Sequence, residues 1–214
     1  MVEQTILLPS DEFVRALESH AARYEVLLSA RDQAGLRKYY EHLQAWNPRL
    51  HLVAPCSPKE FATRHVLESL VALHYLPHGA TVCDVGSGGG LPIIPCLIVR
   101  PDLSATLIEA SAKKAVFLRE SLRHTGVHAQ SQVVCARFEL TPMPEALFVT
   151  CRALDRFTEL FSTLAEWTAG ASTLLLFGGH TLREQIEKAG LLYTAVHLPE
   201  SGQRFLFCIN RSAP

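Results

Sequence analysis

Asp84-Val85-Gly86-Ser87-Gly88-Gly89-Gly90-Leu91-Pro92 decides how the chain folds. The apolar run Thr81–Val85 leading into it reads as a short strand, with an acid near its end and a glycine-rich turn behind it. Glycines there let the backbone approach a ligand closely and swing into the next helix. The dinucleotide fingerprint G-x-G-x-x-G is not met, because Leu91 stands where its third glycine belongs. What remains is an acid, one residue, then G-x-G-x-G. A carboxylate at that point favours a positively charged ligand and is awkward beside a pyrophosphate. S-adenosylmethionine, with its sulfonium and ammonium groups, has the matching charge. Asp84, Gly86, Gly88 and Gly90 are accordingly the candidate cofactor contacts on this loop. Glu109, which ends the next candidate strand, is placed to accept hydrogen bonds from ribose hydroxyls. A tight strand–helix turn with no ligand is the plain alternative.

Downstream of residue 80 short apolar runs alternate with helical ones, the pattern of a parallel sheet wrapped by helices. The candidate strands are Thr81–Val85, Ala105–Ile108, Gln132–Ala136, Leu147–Cys151 and Ser172–Phe177. Helices are expected over 111–125, closed by Gly126, and over 155–168. A third should open on the capping box Thr181-Leu182-Arg183-Glu184 and stop at Gly190. The last two strands, Tyr193–Leu198 and Arg204–Asn210, are joined by a loop short enough only for antiparallel neighbours. Five parallel strands and a terminal hairpin give the expected fold class. It is an α/β Rossmann-like class I S-adenosylmethionine-dependent methyltransferase, with a seven-stranded sheet ending in an antiparallel hairpin.

Upstream the signals are helical. Phe13, Leu17, Ala21, Tyr24 and Leu28 recur at three- and four-residue spacing, as do Leu36, Tyr39, Tyr40, Leu43 and Trp46. Asn47-Pro48 is expected to break the second run, and Ser57-Pro58-Lys59-Glu60 to restart one. The domain reading is a helical extension over 1–60 and a methyltransferase domain over 61–214.

Composition narrows the function further. In a chain of 214 residues, 48% are hydrophobic, and 20 Lys+Arg face 21 Asp+Glu, a formal net charge of −1. By surface scaling a chain of this size buries about 70% of its surface, so a full core forms without staples. The charge balance excludes binding to nucleic acid by a wide basic surface and leaves only a local patch. None of the six cysteines falls in a CxxC pair, so buried thiols in a reducing compartment are expected. The N-terminus lacks a signal-peptide pattern, and Leu91–Val99 is too short and too proline-broken to span a bilayer. The expectation is a cytoplasmic protein with no membrane partner. His74 and His78 have i, i+4 spacing, but Pro77 between them breaks the helix, so no metal site is expected.

Beyond the loop, the chain carries Trp46-Asn47, Arg64-His65-Val66-Leu67-Glu68-Ser69, Asp84 to Pro95 and Thr106-Leu107-Ile108-Glu109. Lys113-Lys114, Phe117-Leu118, Arg137-Phe138-Glu139 and Cys151-Arg152-Ala153 follow. In order and spacing these segments resemble the bacterial glucose-inhibited division protein B family of 16S ribosomal RNA methyltransferases, from about residue 36 onward. The resemblance implies methyl transfer from S-adenosylmethionine to N7 of one guanine in the decoding-region loop of 16S RNA. It implies cofactor contacts at Gly86, Leu91, Phe138, Glu139 and Arg152, supported by Asp84 and Glu109. Arg152 is the one residue assigned a catalytic, positioning role; if it touches the base, it should meet O6 or a phosphate and leave N7 unoccupied. Arg64, His65, Lys113 and Lys114 are the implied RNA contacts. The implied partner is 16S RNA within a 30S particle or assembly intermediate, approached by a monomer.

The chain departs from the family pattern at His51-Leu52-Val53, at Ile93 and at Gly178-Gly179, where a lysine–glycine pair is usual. These departures leave open a divergent paralogue with another methyl acceptor, or a non-catalytic protein that binds S-adenosylmethionine. A nicotinamide-dependent oxidoreductase is disfavoured by Leu91 and Asp84. Guanine N7 carries an in-plane lone pair and no proton, so the chemistry requires no general base. The lack of an evident nucleophile–base set is consistent with that.

Overall fold

The computed structural model describes residues 8–152, 157–171 and 173–211. Seven strands form one sheet in the order β3-β2-β1-β4-β5-β7-β6. They are β1 (Thr81–Val85), β2 (Ser104–Ile108), β3 (Ser131–Val134), β4 (Phe148–Cys151), β5 (Thr173–Gly178), β6 (Thr194–His197) and β7 (Phe205–Asn210). The first five run parallel, and β7 pairs antiparallel with both β5 and β6. All seven expected strands are present within a residue or two of their predicted bounds. Ser172, the expected start of the fifth, and Asp155, the expected start of a helix, lie outside the described residues.

Side chains alternate across the sheet with the period of two that strands impose. Val82, Leu107, Leu175 and Leu206 face one core, while Cys83, Ile108, Leu174 and Phe207 face another. The helices Ile93–Val99 and Ala112–Thr125, which follow β1 and β2, cover the first face, and Phe157–Trp167 and His180–Lys188 cover the second. Ser111 caps the helix Ala112–Thr125 through Lys114 N–H at 3.4 Å, and Gly126 closes it at φ +79°. No helix among the described residues is long and apolar enough to cross a membrane.

The leading helices Pro9–His20 and Ala30–Leu50, and a helical run over 58–75, also lie on the first face. They share one continuous core with it: Phe13, Leu17, Leu36, Tyr39 and Phe61 are fully buried in the cluster that holds Val82 and Leu206. Phe13 stacks on Tyr40 at 4.5 Å between ring centroids. Gly35 lets the second helix close on the helix after β1, since a Cβ there would stand 2.6 Å from Ile98 Cγ2.

Two local expectations fail. Pro48 lies inside the helix Ala30–Leu50 and does not end it. The helix is in its last turn there, and it closes at His51, which adopts φ 49° and donates its N–H to the Asn47 carbonyl at 2.9 Å. The helix His180–Lys188 begins one residue before the expected capping box, with Gly179 as an N-cap that has no side chain to offer. The cysteines divide: Cys83, Cys96, Cys151 and Cys208 are buried, Cys56 is half-buried and Cys135 is exposed.

Because Phe13 sits in the same core as the sheet, Phe13→Ala should cost about 3–5 kcal/mol, the usual loss for a fully buried phenylalanine. Urea unfolding followed by both tryptophan fluorescence and far-UV circular dichroism should still give one coincident transition. Two separated transitions would show that the leading helices fold apart from the sheet.

Candidate active site

A cavity of about 560 Å³ opens above the C-terminal ends of β1, β2 and β4. The strand order reverses direction between β1 and β4, and a crevice opens at such a switch point. Its floor is the loop after β1. Gly86 and Ser87 donate their N–H groups to the Ile108 carbonyl at 2.9 and 3.1 Å, which folds the loop back over β2. Gly86, Gly88 and Gly90 all adopt positive φ, a region that side chains strain, and a Cβ on Gly90 would lie 2.4 Å from Ile94 Cδ1.

Glu109 locks this loop to the next helix. Its Oε2 accepts from Gly88 N–H at 2.8 Å and its Oε1 from Ser111 N–H at 2.7 Å. Each oxygen keeps a further lone pair, so Glu109 can still accept from a ligand while holding the backbone. Asp84 lies under the loop, 1% exposed, and is not on the cavity wall. Its Oδ1 accepts from Thr150 Oγ1 at 2.7 Å, and its Oδ2 is buried with no partner. Burial raises its carboxyl from the ordinary 3.8 to about 7, with Thr150 opposing the shift. A cation bound above the loop would favour the ionised form.

Arg152 follows β4, and both of its terminal nitrogens turn towards the helical run 58–75. Nη1 donates to the His65 carbonyl at 3.0 Å and to Ser69 Oγ at 2.9 Å. Nη2 donates to the Arg64 carbonyl at 2.5 Å and to Glu68 Oε2 at 3.1 Å. The four N–H bonds on these two nitrogens thus have four acceptors, all in the chain. The two accepting carbonyls belong to Phe61–Leu67, a π-helical turn, a widening that recurs at functional sites. Arg152 therefore meets the cavity as part of its wall, with both terminal nitrogens engaged within the chain.

His65, carried on that turn, lines the cavity. Burial, reinforced by Arg152, Arg64 and Arg204, pushes its pKa down to about 3, so the ring is neutral at physiological pH. The opposite wall is apolar: Phe138, 4% exposed, stands edge-on to Trp167 at 5.5 Å, near Leu160 and Ile108.

Of the residues expected from sequence, the cavity gathers Gly86, Gly88, Leu91, Glu109, Phe138, Glu139, Arg152, His65 and Lys114. Gly90 shapes the turn from beneath, and Lys113 and Arg64 lie outside the wall, Arg64 paired with Glu60 at 2.9 Å. Among the contributors with no assigned role, three shape the rim: Arg137, the loop 51–54 and Asn47. Arg137, exposed at the mouth, stood inside a quoted segment and could have been found by its place beside Phe138. The loop 51–54 forms one rim. Asn47 fixes that rim, since its amide donates to the Val53 carbonyl at 3.1 Å and accepts from Val53 N–H at 3.0 Å. Gly178, a departure from the family pattern, has a packing reason: a Cβ there would lie 2.6 Å from Leu182 Cδ2.

The comparisons agree with this geometry. A family model described as GidB, rRNA small subunit methyltransferase G, matches residues 32–201. A relative named ribosomal RNA small subunit methyltransferase G, from Xanthomonas campestris pv. campestris strain B100, is 39% identical over 74% of this chain and 74% of its own length. One of the same name from strain 8004 is 41% identical over 73% of this chain and 66% of its own length. Among solved structures, a SAM-dependent methyltransferase from Aquifex aeolicus superposes with a TM-score of 0.57 at 17% identity, covering 70% of this chain and 92% of that one. Streptococcus pneumoniae Sp1610, in complex with S-adenosyl-L-methionine, gives 0.55 at 17% identity, over 66% of this chain and 71% of that one. At these identities the structures establish the fold, a class I methyltransferase fold.

The buried Asp84 makes a measurable demand on stability. Its folded pKa of about 7 exceeds the ordinary 3.8, so folding takes up a proton between those values. Its contribution to stability is best at low pH, falls as pH rises from about 4 to about 7, and is level above. Asp84→Asn should remove that slope. The melting temperature of the variant relative to the parent should climb between pH 5 and pH 8 when both are scanned by calorimetry without ligand. A difference that stays flat with pH would contradict a neutral buried carboxyl.

Proposed function

The chain belongs to the rRNA small subunit methyltransferase G family, and from that premise we infer that it methylates N7 of a guanine in 16S ribosomal RNA with S-adenosylmethionine as donor. The observation that carries the reading is the pairing of Glu109, with a free lone pair on each oxygen, and the partnerless Asp84 Oδ2 around one glycine loop. That acceptor set fits a ligand with ribose hydroxyls and positive charge. The cavity volume is also of the size that encloses a small-molecule ligand.

When bound, S-adenosylmethionine supplies an electrophilic methyl group on its sulfonium. The chain's own part is to bind, orient and exclude water. The Asp84 carboxylate favours a cation above the loop, and Glu109 accepts from ribose. Phe138, Ile108 and Leu160 offer an apolar slot for a planar base. His65, held neutral, adds no positive charge to a site that takes a cationic donor. The guanine lone pair needs no residue to remove a proton, and alignment at roughly 3–3.5 Å can supply much of the acceleration.

Lys114 and Arg137 on the cavity wall are the cations best placed for phosphate. Lys113 and Arg64 would reach only flanking RNA. With few cations, affinity for naked RNA should be modest and a pre-shaped 30S particle preferred. The reading includes action as a monomer in the cytoplasm.

Labelled S-adenosylmethionine offered with 30S subunits and with naked 16S RNA tests the reading, followed by mapping of N7-methylguanine through chain cleavage. The expected result is label at one guanine, with the particle favoured. Absence of label on both substrates would remove this function. In a thermal-shift comparison, S-adenosylhomocysteine should stabilise the protein and NAD should not, which separates the enzyme from an oxidoreductase of similar topology.

A further inference from the structure

Arg204 lies beyond the residues that the family model covers, at the foot of β7. Its guanidinium clamps Glu68, with Nη2 to Oε1 at 2.7 Å and Nε to Oε1 and Oε2 at 3.0 and 3.3 Å. Glu68 is 1% exposed and is the same carboxylate that accepts from Arg152. One buried negative charge is therefore shared between two guanidiniums, and the geometry of one constrains the other.

Arg204 is itself held. Its carbonyl accepts from Leu198 N–H at 3.0 Å and from Ser201 Oγ at 3.1 Å, which closes the loop between β6 and β7. The short 3-10 helix Ala21–Tyr24, which continues the first leading helix, pins that loop from outside. Tyr24 donates to the Pro199 carbonyl at 3.2 Å, and Arg23 pairs with Glu200. A continuous chain of polar contacts thus runs from the leading helices through the hairpin loop, Arg204, Glu68 and Arg152 to the carbonyls of the turn that carries His65.

We propose that Arg204 is a positioning residue for methyl transfer, setting Arg152 and the His65 turn through Glu68, with the leading helices holding it in place. The physical basis is the choice open to Glu68. Clamped by Arg204, its carboxylate offers Arg152 a single bond, and Arg152 spends its remaining terminal N–H bonds on Ser69 and on the carbonyls of Arg64 and His65. Freed, Glu68 can turn to engage Arg152 with both oxygens, the stronger geometry for that pair. The guanidinium is then drawn off the carbonyls that it holds. Removing Arg204, whose side chain is 35% exposed, leaves Glu68 and Arg152 as a neutral pair, so no buried charge is stranded and the fold survives. Removing Glu68 would strand Arg152 without a buried counter-charge and is the poorer test.

The position of Arg204 rests on no assumption about the substrate, whereas its effect on turnover rests on the methyl-transfer reading. The test therefore has two arms on the full chain. In the first, Arg204→Met and Arg204→Lys are compared with the parent, without ligand, by the ring proton resonances of His65 and by calorimetry. In the second, S-adenosylhomocysteine affinity is titrated, and kcat and KM are measured with 30S subunits. Arg204→Met should shift the His65 resonances and weaken S-adenosylhomocysteine by about tenfold, which corresponds to about 1.4 kcal/mol. It should lower kcat more than it raises KM for the particle, and Arg204→Lys should recover part of each effect.

Unshifted His65 resonances with parental affinity in a folded Arg204→Met protein would overturn the proposal. Should Arg204→Met fail to fold, Arg204→Lys decides in the same way, since it keeps the charge and loses the fork. Absence of methylation by the parent would fail the functional reading alone. The His65 and S-adenosylhomocysteine measurements would still decide the positioning claim.

Discussion

Between β1 and β4 the chain changes sides, and everything at the site depends on that reversal. The helix after β1 packs on one face of the sheet and the helix after β4 on the other, because a right-handed crossover returns to the sheet from opposite directions on the two flanks. The backbone leaving the two strands diverges, and the gap cannot be filled by either helix. A parallel sheet so ordered has a crevice at its C-terminal edge whether or not it binds anything. The glycine loop, Glu109 and Arg152 all stand at strand ends for this reason, and each solves a different problem of the gap. The loop lines it with backbone, Glu109 ties that backbone down, and Arg152 ties the far wall to the sheet.

Two of these ties are set by the protein before any ligand binds. Glu109 spends one lone pair per oxygen on backbone N–H groups and keeps the others available, so the group that would read ribose is already immobilised. Arg152 spends its terminal donors on the turn that bears His65, which makes the arginine a brace and not a reaching arm. Pre-set groups of this kind lose little freedom on binding, and a displacement reaction without proton transfer needs little else from the protein.

Much of the scaffold was legible in the residues. Apolar runs of strand length, Gly126 after its helix and the short loop before Arg204 are local signals, and local sterics and hydrogen bonding enforce them. The glycine loop was legible because only glycine tolerates φ values of +51° to +84° repeated within five residues. The misreadings were also local. Pro48 is tolerated because it falls in a last turn, and Thr181 loses its capping place because the helix already begins at His180, directly behind the N-cap Gly179.

What the sequence determined by itself is the kind of molecule: a parallel sheet, a glycine loop with an acid before it and another after the next strand, and hence the class of ligand. These features are short in range, fixed by the conformational limits of neighbouring residues and by period-two burial. Tertiary structure alone decided where Arg152 points, that Asp84 is buried and raised, that Asn47 holds a rim, and that Arg204 reaches Glu68 across the chain. It also joined the leading helices to the sheet core. Those outcomes turn on groups far apart in sequence meeting in a space from which water is excluded. There a hydrogen-bonding group must find a partner or carry the cost of lacking one.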